Sequence, residues 1–566
     1  TVIQINERMG DSNASVAIVY SKGDKINIGD AWIEDMNGKI VRKLKGNEIT
    51  DQSFVRDVAF YSDMYIKWFE LKHNVYPYRI VYSVKTTTSK FMEACSYDYT
   101  RARYPIRHKK VIVETPIDQP LKYKQSNIPS PQIDTTTKTM NYTWEFDYTP
   151  SGNDISSSLN TGDISKLVVL PYSFKFGEKG TWDSWQSYGN WNYSLNNKKD
   201  DLPDSEKSKI SSLIKGVTDA KEKAKILYHS LQDNHRYINV SVKTGGLESY
   251  PASYVCTNRY GDCKALSNYM KSVLNYAGIK SYYTLIDSDE RVVDIDPVFP
   301  SNSFNHVIVT VPFGNDTIYL ECTSKNLPFG YVHSSMQGRR ALMIDTDERC
   351  FTSIPQMKPD NVLCERTIQI TGNPTGHSNI ELKAIQRGQH FELSNELAIS
   401  INKNNANKYI RETILSGAYD LLDYKFDKKG RDDNSIILNA HISISNMMKK
   451  YGNNLLIPIF PIEIPLYEKP ENIEQDLQLD MPEYYKDSII YNIDDITISK
   501  IPENIILNSP YGEYSINFKL DGNKLIISKT ILIPTGRYTL SDYKGFYKFI
   551  SAVRDSENKK YNLEIL

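Results

Sequence analysis

Hydrophobic and polar positions repeat differently in three parts of the chain. In residues 1–174, strand-length runs such as residues 78–84 and 142–146 alternate apolar and polar side chains with a period of two. One such run leads into Asn37-Gly38, a strong tight-turn signal. We therefore predict an antiparallel β-sandwich over residues 1–174.

Helical spacing replaces this alternation in the middle of the chain. Ala220, Ala224, Leu227 and Leu231 form one apolar stripe, as on the buried face of a helix. Further helical and short β-branched runs follow it. We predict that residues 175–345 form an α+β core.

Strand-like runs return in residues 346–566. Asp521-Gly522 is a second hairpin signal, and two helices are expected, at about residues 404–417 and from about Ser541. The predicted fold is therefore α+β and multidomain, with an N-terminal β-sandwich (1–174), a central α+β core (175–345) and a C-terminal β-rich domain with two helices (346–566).

Length and composition indicate several domains of an ordinary globular protein. A chain of 566 residues, 40% hydrophobic and 24% charged, exceeds what one core organises. The formal net charge of −1 argues against nucleic acid as a partner, and no apolar run approaches the ~20 residues that a transmembrane helix needs. The chain starts at Thr1 without an initiator Met, which favours a processed or trimmed form.

Residues 258–264, Asn-Arg-Tyr-Gly-Asp-Cys-Lys, place a thiol where a turn becomes a helix. After Cys263 the apolar residues keep helical spacing as far as Gly278, a helix stop signal. Free N–H groups and the helix dipole at such an N-terminus favour the thiolate, which is the nucleophilic form. A lone buried cysteine is more often a packing residue, so this interpretation depends on partners farther along the chain.

Two candidate partners follow on a predicted hairpin. His306 opens one strand-like run, Glu321 ends the next, and a turn signal at Gly314-Asn315 separates them. Imidazole and carboxylate can then lie side by side on neighbouring strands. With Cys263 they would supply the nucleophile, base and orienting group of a cysteine-dependent acyl transferase.

These segments carry a family resemblance, which rests on four motifs: Pro251-Ala252-Ser253, Arg259-Tyr260-Gly261-Asp262-Cys263-Lys264, Phe304-Asn305-His306-Val307 and Glu321-Cys322-Thr323-Ser324. They resemble the transglutaminase-like core of the papain-like superfamily, over about residues 175–345. The resemblance implies Cys263 as nucleophile and His306 as general base. The wider chain resembles secreted bacterial proteins in which a β-rich domain of unknown function precedes this core and another follows, which implies a periplasmic or cell-surface location.

Two positions depart from the family pattern. The third member of the triad is usually Asp, whereas Glu321 here is one methylene longer and must retract or tilt to reach the imidazole. Many relatives carry Gly-Gly-aromatic-Gln upstream, whereas this chain reads Gly245-Gly246-Leu247-Glu248. If that Gln donates to the oxyanion, Glu248 cannot replace it, and one lost donor costs on the order of 10²–10³ in rate. Asp262, next to the thiol, is the other residue expected beside the site.

The remaining candidate chemistry is weaker. The six cysteines are Cys95, Cys256, Cys263, Cys322, Cys350 and Cys364, and their spacing fits no metal site. A Cys256–Cys263 disulfide is a disfavoured alternative, because disulfide frameworks belong to much shorter chains. Clustered carboxylates in residues 287–296 could hold calcium, but they lack the EF-hand pattern, so an acidic solvated loop is favoured.

Aromatic and histidine residues upstream of the thiol are expected to be structural. Trp182, Trp185 and Trp191 could stack on a sugar, but such clusters more often pack a helix onto a domain. His235 could be a second base, but it precedes the cysteine and has no predicted strand partner. We expect it to be a packing residue.

Two functional hypotheses follow. In the first, Cys263 attacks an amide carbonyl, His306 moves the protons and Glu321 orients His306, which gives a peptidase or amidase with water as acceptor and a transglutaminase with an amine. In the second, the protein is a binding or scaffold protein whose chemistry is impaired by Glu248 and Glu321. The residues favour the enzyme. Its expected partners are protein or peptide substrates, with cell-envelope or glycan material as a further class, and no cofactor or metal is expected.

Overall fold

The computed structural model describes residues 1–54, 59–62, 64–89, 91–98, 105–148, 166–241, 246–289, 292–344, 351–372, 376–400, 403–472, 476–492 and 496–566. Gly245 and Cys350 lie outside these residues. The α-helices span Trp185–Asn196, Asp204–Leu213, Ala220–Asn234, Ala252–Asn258, Cys263–Tyr276, Pro359–Val362, Gln389–Ile399, Lys403–Tyr409 and Leu540–Asn558. Within the described ranges, no helix has both the length and the apolar character required to cross a membrane.

Antiparallel sheets build the N-terminal part. One hydrophobic cluster lies between a sheet of Val2–Ile5, Tyr78–Thr87, Lys25–Glu34 and Ile40–Lys43 and a sheet of Ser15–Ser21, Met64–Glu70 and Thr50–Ser53. A second cluster lies between a sheet of Ile106–Pro116, Thr139–Tyr148 and Gln132–Thr135 and a sheet of Leu121–Ser126, Lys166–Pro171 and Cys95–Asp98. Strands and turns thus follow the period-two pattern, but two separate clusters form, and the single sandwich over residues 1–174 stays a prediction.

Short pairings connect this part to the core. Ser173–Phe176 and Glu178–Thr181 form a hairpin, and Ala59–Ser62 of the N-terminal part pairs in parallel with Asn239–Ser241. Asn239 lies two residues after Tyr237, and the strand Arg236–Tyr237 pairs with Tyr260–Gly261, directly before Asp262 and Cys263.

The core joins helices to one five-stranded antiparallel sheet. Its strands are, in spatial order, Asp316–Leu320, His306–Phe313, Tyr282–Ile286, Arg340–Met343 and Phe351–Ser353. The helix Cys263–Tyr276, here called the cysteine helix, packs its apolar face against this sheet, and buried Ser267 donates to the Val307 carbonyl at 3.0 Å. The sheet continues to Ser353, past the predicted boundary at residue 345.

An eight-stranded sheet dominates the C-terminal part. Its spatial order is Asp420–Asp427, Ile436–Ser445, His377–Gln386, Cys364–Gly372, Glu483–Asn492, Lys524–Ile533, Gly512–Asp521 and Ile505–Ser509. Smaller sheets join Lys449–Tyr451, Asn454–Ile457, Tyr561–Ile565 and Ile498–Lys500, and pair Leu477–Leu479 with Gly536–Tyr538. The helix expected from Ser541 is confirmed as Leu540–Asn558. The helix expected over residues 404–417 is shorter, because Lys403–Tyr409 passes into a π-helical turn, Ile410–Ile414.

Opposite charges are buried beneath the eight-stranded sheet. Arg366 donates to Asp487 through Nε at 2.8 Å, and Lys529 lies 2.8 Å from Glu557 and 3.2 Å from Asp487. All four side chains are almost inaccessible to solvent. Because buried charges are costly unless paired, this part of the chain depends on the whole set.

Candidate active site

The cysteine helix begins at Cys263, as the sequence predicts. Asp262 is its N-cap, and one carboxylate oxygen accepts a hydrogen bond from the Ala265 N–H at 3.0 Å. Gly261 is needed in this turn because a Cβ there would lie 2.8 Å from the Cβ of Ala265. The thiol therefore sits at a capped helix N-terminus, on a residue that is only 8% exposed.

The predicted hairpin is confirmed. His306–Phe313 and Asp316–Leu320 pair in antiparallel register, with Val309 opposite Leu320, and Gly314 takes a positive φ of 62° in the turn. His306 is the first residue of its strand, and Glu321 directly follows the neighbouring strand. The pairing brings their side chains to the same end of the sheet.

The three predicted residues lie together. His306 Nε2 is 2.7 Å from Glu321 Oε2, and Cys263 is near enough to the His306 ring to help raise its pKa. Because Nε2 is engaged by the carboxylate, Nδ1 is the ring nitrogen that remains for the thiol. The imidazole therefore pairs with the carboxylate, and its contact with the sulfur stays a prediction.

Electrostatics favour the charged forms of the histidine and the glutamate. Burial alone would lower the pKa of His306, but the neighbouring charges of Glu321 and Cys263 outweigh it and raise that pKa to about 10. Burial would raise the pKa of Glu321, but His306 and hydrogen bonds from Thr323 lower it to about 2. At neutral pH the pair is an imidazolium and a carboxylate.

The longer Glu side chain is held in place by a residue to which sequence reasoning gave no role. Glu321 Oε1 accepts hydrogen bonds from the Thr323 backbone N–H at 2.8 Å and from the Thr323 hydroxyl at 2.5 Å, while Oε2 faces His306. The Tyr228 hydroxyl donates to the Glu321 carbonyl at 2.8 Å. Glu321 therefore reaches the imidazole with both carboxylate oxygens bonded.

The two near-site residues have defined partners. Besides capping the helix, Asp262 forms an ion pair with Lys264, whose Nζ lies 2.6 Å from Oδ2. Burial lowers the pKa of Lys264, but the charges of Cys263 and Asp262 overcome it and the net shift is upward. Glu248 forms an ion pair with Lys199, so a cation balances its charge. Its proposed position at the oxyanion stays a prediction.

Tyr237 is a second neighbour to which sequence reasoning gave no role. The short strand Arg236–Tyr237 pairs in parallel with Tyr260–Gly261, directly before the thiol. Burial, together with the charges of Cys263, Asp262 and Glu321, raises the pKa of the Tyr237 phenol. No local sequence pattern around Tyr237 indicates this long-range pairing.

A cleft of about 550 Å³ opens beside His306 and Glu321. One side is formed by Arg236, Tyr237 and the segment that follows Glu321, and the other by residues of the helix Gln389–Ile399, here called the cleft helix. The sequence did not indicate that the C-terminal part contributes to the site. The cleft therefore lies next to the imidazole and is lined by two parts of the chain, and Cys263 is not among its lining residues.

The other candidate residues have structural roles. Trp182, Trp185 and Trp191 are buried, and Trp185 packs edge-on against Phe304 at 5.6 Å, in a cluster that also contains Cys263. This confirms the packing interpretation. His235 is buried, and mainly because of that burial its pKa falls to about 4.

Acidic residues in the segment 287–296 form ion pairs, and Cys256 and Cys263 are not joined by a disulfide. Asp287 binds Arg339 at 2.7 Å, Asp294 binds Arg537 at 2.8 Å, and Asp296 binds Lys124. Basic side chains rather than solvent alone therefore face these carboxylates. Cys256 and Cys263 are free thiols, so the disfavoured disulfide is not formed.

Family models match the two ends of the chain. Residues 1–151 match a domain of unknown function, DUF3857, and residues 453–563 match another, DUF3858. No curated protein matches the chain. These matches agree with flanking domains of unknown function around a central core.

Solved structures extend the likeness to the whole chain. A crystal structure of a proposed protease from Parabacteroides distasonis covers 100% of this chain and 94% of its own, with 12% identity and a TM-score of 0.64. At that identity the likeness shows a shared fold. A proposed cysteine protease from Cytophaga hutchinsonii covers 38% of this chain and 72% of its own, with 11% identity, but its TM-score of 0.19 supports no conclusion.

Proposed function

We propose that this protein is a cysteine-dependent enzyme that acts on amide bonds of proteins or peptides. The observation that carries the proposal is the pair of His306 and Glu321, 2.7 Å apart, with His306 on a strand that hydrogen bonds to the helix beginning at Cys263. A nucleophile, a proton carrier and an orienting anion are the parts that covalent acyl transfer needs. The description of a chain with the same fold as a protease agrees with this role.

The chemistry follows from these roles. The Cys263 sulfur bonds to the carbonyl carbon, and as the C–N bond breaks, the His306 imidazolium gives its proton to the departing amine. Water or an amine then attacks the thioester while His306 takes the attacking group's proton, and Cys263 leaves as a thiolate. Glu321 keeps the imidazolium oriented. The Cys263 N–H, at a helix N-terminus, is the expected donor to the oxyanion.

The alternative is a scaffold that has lost efficient chemistry. Two observations favour it, namely the acid at position 248 and the low exposure, 8%, of residue Cys263. The location outside the cytoplasm and the glycan or envelope partners stay predictions from the family resemblance.

The rate of iodoacetamide labelling as a function of pH distinguishes the two hypotheses, and the chain has a matched internal reference. Cys256 is also 8% exposed, but burial and the Glu206 charge raise its pKa to about 11. Site-resolved mass spectrometry should show Cys263 alkylated rapidly at pH 6, where Cys256 remains unmodified. Equal, slow labelling of both thiols at pH 6 would favour the scaffold.

A further inference from the structure

The cleft beside His306 has two walls of different origin. The core contributes Arg236, Tyr237 and Lys325, here called the core wall, and the cleft helix contributes Asn395 and Glu396, here called the helix wall. Both walls belong to the same cleft of about 550 Å³. The C-terminal part of the chain therefore takes part in whatever the cleft binds.

Hydrogen bonds fix the helix wall to the core. The Asn395 amide donates to the Asn326 carbonyl at 3.0 Å, and Glu392 accepts hydrogen bonds from the Ser334 N–H at 2.8 Å and the Tyr331 hydroxyl at 2.9 Å. Glu392 is buried, and its hydrogen bonds connect the cleft helix to the core. The cleft is thus preformed, which lowers the cost of ordering on binding.

The exposed charges of the two walls have opposite signs. Arg236 and Lys325 are exposed cations on the core wall, whereas Glu396 is an exposed anion on the helix wall. Asp233 interacts electrostatically with Lys325, but its ion pair is with Arg431, at 2.8 Å. A carboxylate entering the cleft would be attracted to the core wall and repelled by the helix wall.

We propose that the cleft binds a peptide with an acidic side chain close to the reacting carbonyl. Arg236 and Lys325 bind its carboxylate, for which the guanidinium offers paired donors, and the cleft helix closes the other side. This inference rests on the proposed function, since it assigns the specificity of that same site.

Peptide vinyl sulfones that differ only in one residue, Glu, Gln or Lys, test the proposal. The Cys263 thiolate adds to the alkene carbon, the C=C π bond is lost, and His306 protonates the neighbouring carbon. One series varies the residue that bears the vinyl sulfone and a second varies the residue before it. In at least one series the Glu probe should react about 10-fold faster than the Lys probe at low salt, as expected for two exposed charge pairs, and salt should reduce the ratio.

Charge variants identify the wall that is responsible. Arg236→Gln and Lys325→Gln should each lower the Glu:Lys ratio, and Arg236→Glu should bring it to one or below. Glu396→Gln, on the opposite wall, should raise the Glu-probe rate because it removes a repulsive charge. Lys500→Gln removes one positive charge at a strand outside the cleft and should leave the ratio unchanged.

The iodoacetamide rate separates the two possible failures. Slow iodoacetamide labelling of Cys263 together with no reaction of any probe would overturn the proposed function. Fast iodoacetamide labelling with Glu and Lys probes that react equally, or with the Lys probe faster in both series, would overturn the charge assignment and leave the proposed function standing.

Discussion

Replacing Glu321 with Gln tests how the imidazole is controlled. With a pKa of about 10, His306 is about 99% imidazolium at pH 7.5, whereas at the ordinary value of about 6.5 only about a tenth would be charged. Burial lowers the pKa of His306, and the Glu321 carboxylate counteracts that effect. The Glu321→Gln variant lacks this carboxylate, so the pKa of His306 should fall. The imidazolium fraction of His306, and hence the iodoacetamide rate at Cys263, should fall at least ~10-fold at pH 7.5.

The amide also changes which ring nitrogen carries the proton. Glu321 accepts on both sides, from His306 and from Thr323, but Gln has a single acceptor oxygen. If that oxygen stays with Thr323, the amide N–H₂ faces Nε2 and the ring proton moves to Nδ1, toward the thiol. A ring in that tautomer cannot accept the thiol proton, and the comparable change in a serine protease triad costs on the order of 10⁴ in kcat. Peptide turnover should therefore fall more than alkylation does.

Mass-spectrometric labelling rates at pH 7.5, with folding checked by circular dichroism, measure the effect. The matched control is Glu365→Gln, the same chemical change in a partly exposed ion pair with Arg387, and it should label at the wild-type rate. A Glu321→Gln protein that is folded and is alkylated within twofold of the wild-type rate would refute this account of His306.

Further predictions concern positioning, stability and pH. Thr323→Val removes a hydrogen bond to a charged group, worth about 1.5–3 kcal/mol, so the pKa of Glu321 should rise and the acidic limb of a pH–activity profile should move to higher pH, while Thr323→Ser should keep the wild-type profile. Arg366→Met leaves Lys529 as the cation that pairs with two buried acids, Asp487 and Glu557, and should cost about 3–5 kcal/mol in urea unfolding, whereas Arg387→Met at a more exposed pair should cost about 1 kcal/mol or less. The raised pKa of His306 makes a stabilising contribution that is complete below about pH 6.5 and is lost as pH rises to about 10. The difference in unfolding free energy between wild type and His306→Ala should therefore shrink over that interval, and a constant difference would show that the histidine is not held charged.

The parts of the site that could be predicted are those that depend on local signals. Apolar spacing after Cys263 and the stop at Gly278 define the cysteine helix, and the turn at Gly314 defines the hairpin that aligns His306 with Glu321. Each signal lies within a few residues of the element that it determines. The sequence therefore predicted both elements correctly.

Contacts between distant segments could not be predicted in this way. Asn395 binds the Asn326 carbonyl across 69 residues, and nothing near the cleft helix indicates that it lines a cleft beside His306. The two hydrogen bonds from Thr323 to Glu321 are local, but only the packed hairpin shows that they let the longer acid reach the imidazole. The π-helical turn at Ile410–Ile414 likewise departs from a helical apolar pattern that continues beyond it.

NMR titration of His306 in histidine-labelled protein, assigned by loss of its signal in His306→Asn, tests most directly whether the three side chains act as one unit. The account predicts a pKa of about 10 in the wild type and a lower value in both Cys263→Ala and Glu321→Gln. A ring that titrates near 6.5 in all three proteins would contradict it.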